Sequence, residues 1–144
     1  MKRNSRLSLA LHALGHMAAQ PDQSRTSAEI AEQHATHPAF VRRVLGLLKD
    51  GGILRSEKGH AGGWSLARSA DEIALSDVYV ALGERFLRPE PEGSENPVTC
   101  AIERALRGKV ETALDLAEAT LIAELKRTSI ASLAIDPDRQ VKDH

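Results

Sequence analysis

Two arginines, Arg42 and Arg43, stand side by side a few residues after Pro38 in the stretch HPAFVRRVLGLLKD. Guanidinium groups at the start of a helix suit a polyanion. Each can hold a phosphate or pair with both acceptors of a guanine edge. Val41, Val44, Leu45 and Leu48 recur at spacings of three and four, so they share one apolar face. Ala39, Phe40, Arg42, Arg43 and Gly46 fall off that face. Phe40 has two readings, contact with a thymine methyl or packing on the preceding helix. The spacing thus predicts a helix over 38–50 with a buried stripe and an arginine-bearing outer face.

A second candidate is Cys100, the one cysteine of the chain. A single cysteine excludes an intramolecular disulfide. It precedes a long apolar-periodic segment, and a helix start favours the thiolate. That makes it a redox-sensing candidate, open to oxidation, nitrosylation or alkylation. A small packed residue without reactivity is the other reading. His12 and His16 stand at i, i+4, a spacing that can hold a metal, yet no third ligand is suggested nearby. Ordinary surface or packed histidines are the favoured reading.

These residues need elements to position them. Thr26 with Glu29 three residues on forms a capping box, opening a helix that carries Ala28, Ile30 and Ala31. His34–His37 is a polar break, and Pro38 suits the first helical position after it. Gly51-Gly52 ends the second helix. Ile53–Glu57 and Trp64–Ala67 read as two strands around the glycine-rich turn Lys58–Gly63. The expected fold is mainly α with a small β-wing: a winged helix-turn-helix plus a long dimerisation helix.

An earlier helix runs from Ser5, as its N-cap, to about Gln20. Leu7, Ala10, Leu11, Leu14, Met17 and Ala18 mark its inner face, with Lys2, Arg3 and Arg6 near a start that can hold a phosphate. Pro21–Arg25 is a loop. Ser76 is expected to cap a helix holding Val78, Ala81 and Leu82. Residues 88–98, rich in proline and glutamate, read as a linker. In the segment after Thr99, Ile102, Leu106, Val110, Ala113, Ala117 and Leu121 form one apolar stripe, widened by Leu114, Leu116 and Leu125. A stripe of that length usually buries itself on a partner, most simply a second copy. Folding back on its own domain is the alternative. A short helix is expected over 129–134. The division expected is 1–87 as the DNA-binding domain, 88–98 as linker, 99–135 as dimerisation and terminal helices, and 136–144 as a flexible tail.

The net charge of −1 conceals an asymmetry. Residues 1–68 hold ten Lys and Arg against five Asp and Glu, whereas 69–144 hold nine against fifteen. A basic half joined to an acidic half fits one region that meets a polyanion and one that does not. Hydrophobic residues make up 42% of the chain, enough for a core. No apolar run resembles a signal peptide or a membrane span, so a cytoplasmic protein is expected. No Ser/His/Asp order or phosphate loop supports an enzyme, and GHAGG lacks the lysine–serine ending of a P-loop.

The chain from about Asn4 to Leu133 resembles the Rrf-two type of bacterial winged-helix regulators. The resemblance rests on GHAGGWSLARSADEIALSDVYVAL, which has the pattern G-x-x-G-G-aromatic-x-L-A followed by I-x-L-x-D-V. It implies a homodimer that binds a palindromic operator in double-stranded DNA and usually represses. Carried over by position, it implies DNA contacts from His37, Pro38, Ala39, Phe40, Arg42 and Arg43; Ser5, at the start of the first helix, and Thr26, in the capping box, are further DNA-binding candidates. In the wing it implies Lys58, Gly59, His60, Gly62, Gly63 and Trp64. Cluster-binding members carry three cysteines before the dimer helix; here only Cys100 stands there. Iron–sulfur clusters are normally held by several thiolates, so no cofactor is expected and the chain is nearer the cluster-free members. A cluster-holding or other metal sensor, and a winged-helix protein-interaction module, remain the alternatives.

Overall fold

The computed structural model describes residues 5–57, 63–84 and 100–133. Helix α1, Ser5–Ala19, is the element the others gather round. Its Leu9, Ala10, Ala13, Leu14 and Met17 are buried, with Leu7, Leu11 and Ala18 packed at the margin. Leu9 and Ala13 widen the inner face read from sequence, because α1 packs against several other elements. The helix begins at Ser5; Lys2 and Arg3 lie outside the described residues.

The helix-turn-helix follows. Helix α2, Ser27–Gln33, is capped as expected: Thr26 Oγ1 accepts from the Glu29 N–H at 3.2 Å, and Glu29 Oε2 accepts from the Thr26 N–H at 3.4 Å. The turn after it places Ala35 at φ 50°, in the left-handed region. An alanine there is strained by its Cβ. The Thr36 N–H donates to the Ala31 carbonyl at 3.0 Å and closes the turn. Helix α3, Pro38–Asp50, then starts with proline in its first turn and His37 as a cap without a side-chain hydrogen bond. Val41, Val44, Leu45 and Leu48 are fully buried, the four residues read from periodicity. Each such side chain stabilises the fold by about 1.5–3 kcal/mol relative to an exposed one. Gly52, at φ 75°, turns the chain out of α3.

Strands β1, Leu54–Ser56, and β2, Trp64–Leu66, pair antiparallel with Leu54 opposite Leu66 and Ser56 opposite Trp64. Both are shorter than expected. Residues 58–62, the expected wing tip, lie outside the described residues, as do the whole of the expected linker, 88–98, and tail, 136–144.

A 3₁₀ turn, Ala70–Glu72, leads to helix α4, Leu75–Ala81. Its cap differs from the one expected. Asp77 Oδ2 accepts from the Ala74 N–H at 2.9 Å, so Asp77 does the capping. Ser76 lies inside the helix and is buried. The register moves because the bridge between Ala74 and Ser129 extends the backbone through Ala74.

Helix α5, Ala101–Lys126, has 26 residues and would be about 39 Å long. It packs against α4, with Ile122 and Lys126 beside Val80 and Ala81, and Leu114, Leu121, Ile122 and Leu125 in its C-terminal half are half-buried. The stripe in its N-terminal half is uncovered within one chain: Ile102, Leu106 and Val110 are 71%, 58% and 56% exposed. Ala113 and Ala117 are exposed too, and Leu121 is half-buried. After α5 the chain returns to the core. The Leu75 N–H donates to the Thr128 carbonyl, and the Ile130 N–H to the Ile73 carbonyl. Ile130, in a 3₁₀ turn over Ile130–Leu133, is fully buried beside α1. The end of the expected dimerisation segment thus completes the core of the helix-turn-helix half. No helix among the described residues is long and apolar enough to cross a membrane.

Candidate nucleic-acid interface

Arg42 and Arg43 are exposed on the face of α3 opposite its buried stripe, with Ala39 exposed one turn before them. Pro38 is half-buried. So is Phe40, which packs against the core. The packing reading is seen, and part of the ring stays open to solvent. Lys49, at the far end of α3, donates through Nζ to Ser56 Oγ at 2.9 Å. That bond ties the end of the helix to the outer end of β1.

The wing is stapled to the helix-turn-helix by Trp64. Its indole Nε1 donates to Ser27 Oγ at 2.8 Å. A partly buried indole N–H requires such a partner. The backbone of Trp64 also pairs with Arg25, donating to the Arg25 carbonyl at 2.7 Å and accepting from its N–H at 3.0 Å. Gly63 makes this approach possible. A Cβ on Gly63 would lie 2.9 Å from the Arg25 carbonyl oxygen, inside any ordinary contact. On the other side of β2, Arg55 Nε donates to Ser65 Oγ at 3.1 Å.

The result is an open cleft between the start of α2, the arginine face of α3 and the root of the wing. Thr26, Ser27, Arg42, Ser56, Glu57, Gly63 and Trp64 line it. Four of these seven, Thr26, Arg42, Gly63 and Trp64, were singled out from sequence; Ser27, Ser56 and Glu57 were not. The indole N–H of Trp64 implied a polar partner, but nothing local indicated one so far along the chain.

Arg6, expected near a helix start that can hold a phosphate, has an ion-pair partner within the chain. Its guanidinium lies 3.6 Å from the carboxylate of Glu84, whose side chain is only 5% exposed. A buried carboxylate depends on a paired cation, so the charge of Arg6 serves Glu84 first. The expected DNA contacts Lys58, Gly59, His60 and Gly62 lie outside the described residues.

Cys100 is exposed and stands as the N-cap of α5. The backbone N–H of Glu103, and after it that of Ile102, lowers the thiol pKa by favouring the thiolate. Among the described residues, no group of three or more His, Cys, Asp or Glu side chains is arranged to hold a metal ion.

A helix-turn-helix with a two-stranded wing, set on a long C-terminal helix, defines a winged-helix protein. Residues 3–136 match the Rrf2 family, described as iron-dependent transcriptional regulators. The chain belongs to that family. It is 37% identical over 106 residues to YwnA of Bacillus subtilis (strain 168), a candidate HTH-type transcriptional regulator, covering 72% of this chain and 77% of YwnA. It is 29% identical over 136 residues to YffB of Lactococcus lactis, a protein of the same description, covering 93% and 87%. In fold it is similar to a solved candidate transcriptional regulator of Lactobacillus plantarum, with a TM-score of 0.71 at 20% identity, covering 94% and 91%.

Proposed function

We propose that this regulator is a homodimer that binds a palindromic operator in double-stranded DNA, with α3 in the major groove, and represses transcription there. The observation that carries the reading is the division of α3. One face is fully buried, and the opposite face presents Arg42 and Arg43 to solvent. A helix held so firmly from behind offers its arginines with little freedom to lose on binding. Two such helices related by a two-fold axis would enter major grooves about 34 Å apart. The uncovered stripe of Ile102, Leu106 and Val110 supports pairing through α5, since three adjacent large apolar side chains on one face favour burial.

Thr26, His37, Pro38 and Ala39 are the nearby groups proposed to approach the backbone or bases, and the cleft beside Trp64 leads to the wing. Cys100 is the proposed signal-receiving residue. Its thiolate, favoured at the start of α5, is set where oxidation or alkylation would act on the dimer helix. We propose no iron–sulfur cluster for this chain. One cysteine gives one thiolate per chain, and clusters are commonly held by four.

The test is a competition assay. Duplex from the region upstream of the protein's own gene should displace a bound probe at concentrations where shuffled duplex of equal length does not. Equal displacement by both would remove sequence-specific recognition and leave a winged-helix interaction module as the better reading.

A further inference from the structure

Three histidines, two from α1 and one from the end of α2, meet where α1 packs against the turn of the helix-turn-helix. His12 Nε2 and His16 Nε2 lie 2.7 Å apart on α1. Such a contact needs one ring to donate and the other to accept, so at least one of the two must be neutral. His34, the C-cap residue of α2, meets the His12 ring edge-on, with centroids 4.2 Å apart and planes at 81°. Its Nε2 is buried without a hydrogen-bond partner. The His12 and His16 rings are tilted at 38° with centroids 4.6 Å apart, and the close contacts of the three rings suit neutral imidazoles.

Adding protons here meets opposition from each packed element. Burial lowers the pKa of His16, followed by the charges of His12 and Arg25. Burial also lowers the pKa of His34, followed by the charges of His12 and His16. His12 and His16 face the cluster from α1, His34 from the end of α2, and Arg25 from the loop between these helices. Arg25 is fixed there, donating through Nη2 to Gln20 Oε1 at 2.7 Å. The charges that oppose protonation are thus those of His12 and Arg25 at His16, and those of His12 and His16 at His34.

We propose that His12, His16 and His34 form a proton-responsive latch that fastens α1 to the helix-turn-helix turn while the rings are neutral and loosens in acid. His34 is followed directly by Ala35, the residue in left-handed conformation, and then by the residues that start α3. Loosening the latch therefore frees the turn that sets the direction of α3. The consequence for DNA rests on the function proposed above; the latch itself does not.

The sign follows from linkage. In the unfolded chain His16 and His34 take up protons near the ordinary pKa of about 6.5, and in the folded chain only at lower pH. The latch contributes its full stability above about pH 6.5. That contribution is lost as pH falls through the folded values.

The test uses the full chain, with histidine side-chain NMR and thermal unfolding followed from pH 8 to pH 4.5, for the wild type, His34→Gln and His12→Gln. His12 is exposed, so its variant should fold even if His34→Gln does not. The expected result has His16 and His34 titrating below about 6.5 in the wild type. The folding equilibrium should weaken about tenfold for each pH unit separating folded and unfolded values, and this acid sensitivity should shrink in the variants. Ordinary or raised titration of His34, or undiminished acid sensitivity in both variants, overturns the latch. Duplex binding is then measured at pH 7.5 and pH 5.5. A latch seen by NMR in a protein that binds no duplex at either pH refutes the α3 reading and leaves the latch standing. Duplex affinity that falls in acid for the wild type and holds in His12→Gln supports both.

Discussion

The indole of Trp64 reaches across to Ser27, Nε1 to Oγ at 2.8 Å, and so fixes the wing to the first residue of α2. The backbone of Trp64 does the same to Arg25. The wing therefore moves with the helix-turn-helix as one unit. Replacing Trp64 by phenylalanine keeps the ring and the backbone pairing but removes the donor. A lost bond of this kind costs about 1 kcal/mol. Trp64→Phe should lower the thermal midpoint by roughly 2–4 °C and weaken duplex binding. An unchanged midpoint would mean that the bond contributes nothing to holding the wing.

Ala35 offers the opposite experiment. Its φ of 50° costs an alanine roughly 1–2 kcal/mol. Glycine removes that strain, although it adds freedom to the unfolded chain. Ala35→Gly should stabilise the protein by about 0.5–1 kcal/mol, read as a higher thermal midpoint. A lower midpoint would show that the alanine methyl makes contacts worth more than the strain.

The stripe on α5 predicts the behaviour of a charge placed in it. Leu106 is 58% exposed within one chain, so Leu106→Glu leaves the fold of the single chain intact. In a paired chain the same glutamate would be buried opposite apolar groups, which is costly. Sedimentation should find two-chain particles for the wild type and single chains for the variant at equal concentration. Identical masses for the two proteins would exclude this stripe from the interface.

Cys100 carries a pH prediction. The N–H groups of Glu103 and Ile102 favour its thiolate, so its pKa lies below that of an ordinary exposed thiol. The rate of alkylation by iodoacetamide should rise with pH and reach its plateau earlier than for a thiol in an unstructured peptide. Below the lowered pKa the rate should fall as the thiolate is protonated. A titration matching the peptide, or shifted to higher pH, would end the proposal that Cys100 receives a signal.

What could be read from the residues was local. Thr26 and Glu29 are three positions apart, and Val41 to Leu48 share one face by helical geometry alone, so both appear in the structure as expected. What could not be read joins distant segments. Trp64 finds Ser27, Arg6 finds Glu84, and Ile130 returns to the core beside α1, each by a route that periodicity does not encode. The cap of α4 was missed for the same reason. Ser76 is a good capping residue in isolation, but the bridge from Ala74 to Ser129 hands the role to Asp77. His34 joins His12 and His16 only once α2 is folded against α1.

The central claim is that the exposed arginines of α3 meet the duplex. Fluorescence-anisotropy titration of Arg43→Ala and the wild type on the upstream duplex, at several salt concentrations, tests it most directly. The account predicts a loss of about 1–3 kcal/mol if Arg43 reads a base, or a salt slope smaller by about one if it holds a phosphate. Affinity and salt slope both unchanged from the wild type would contradict it.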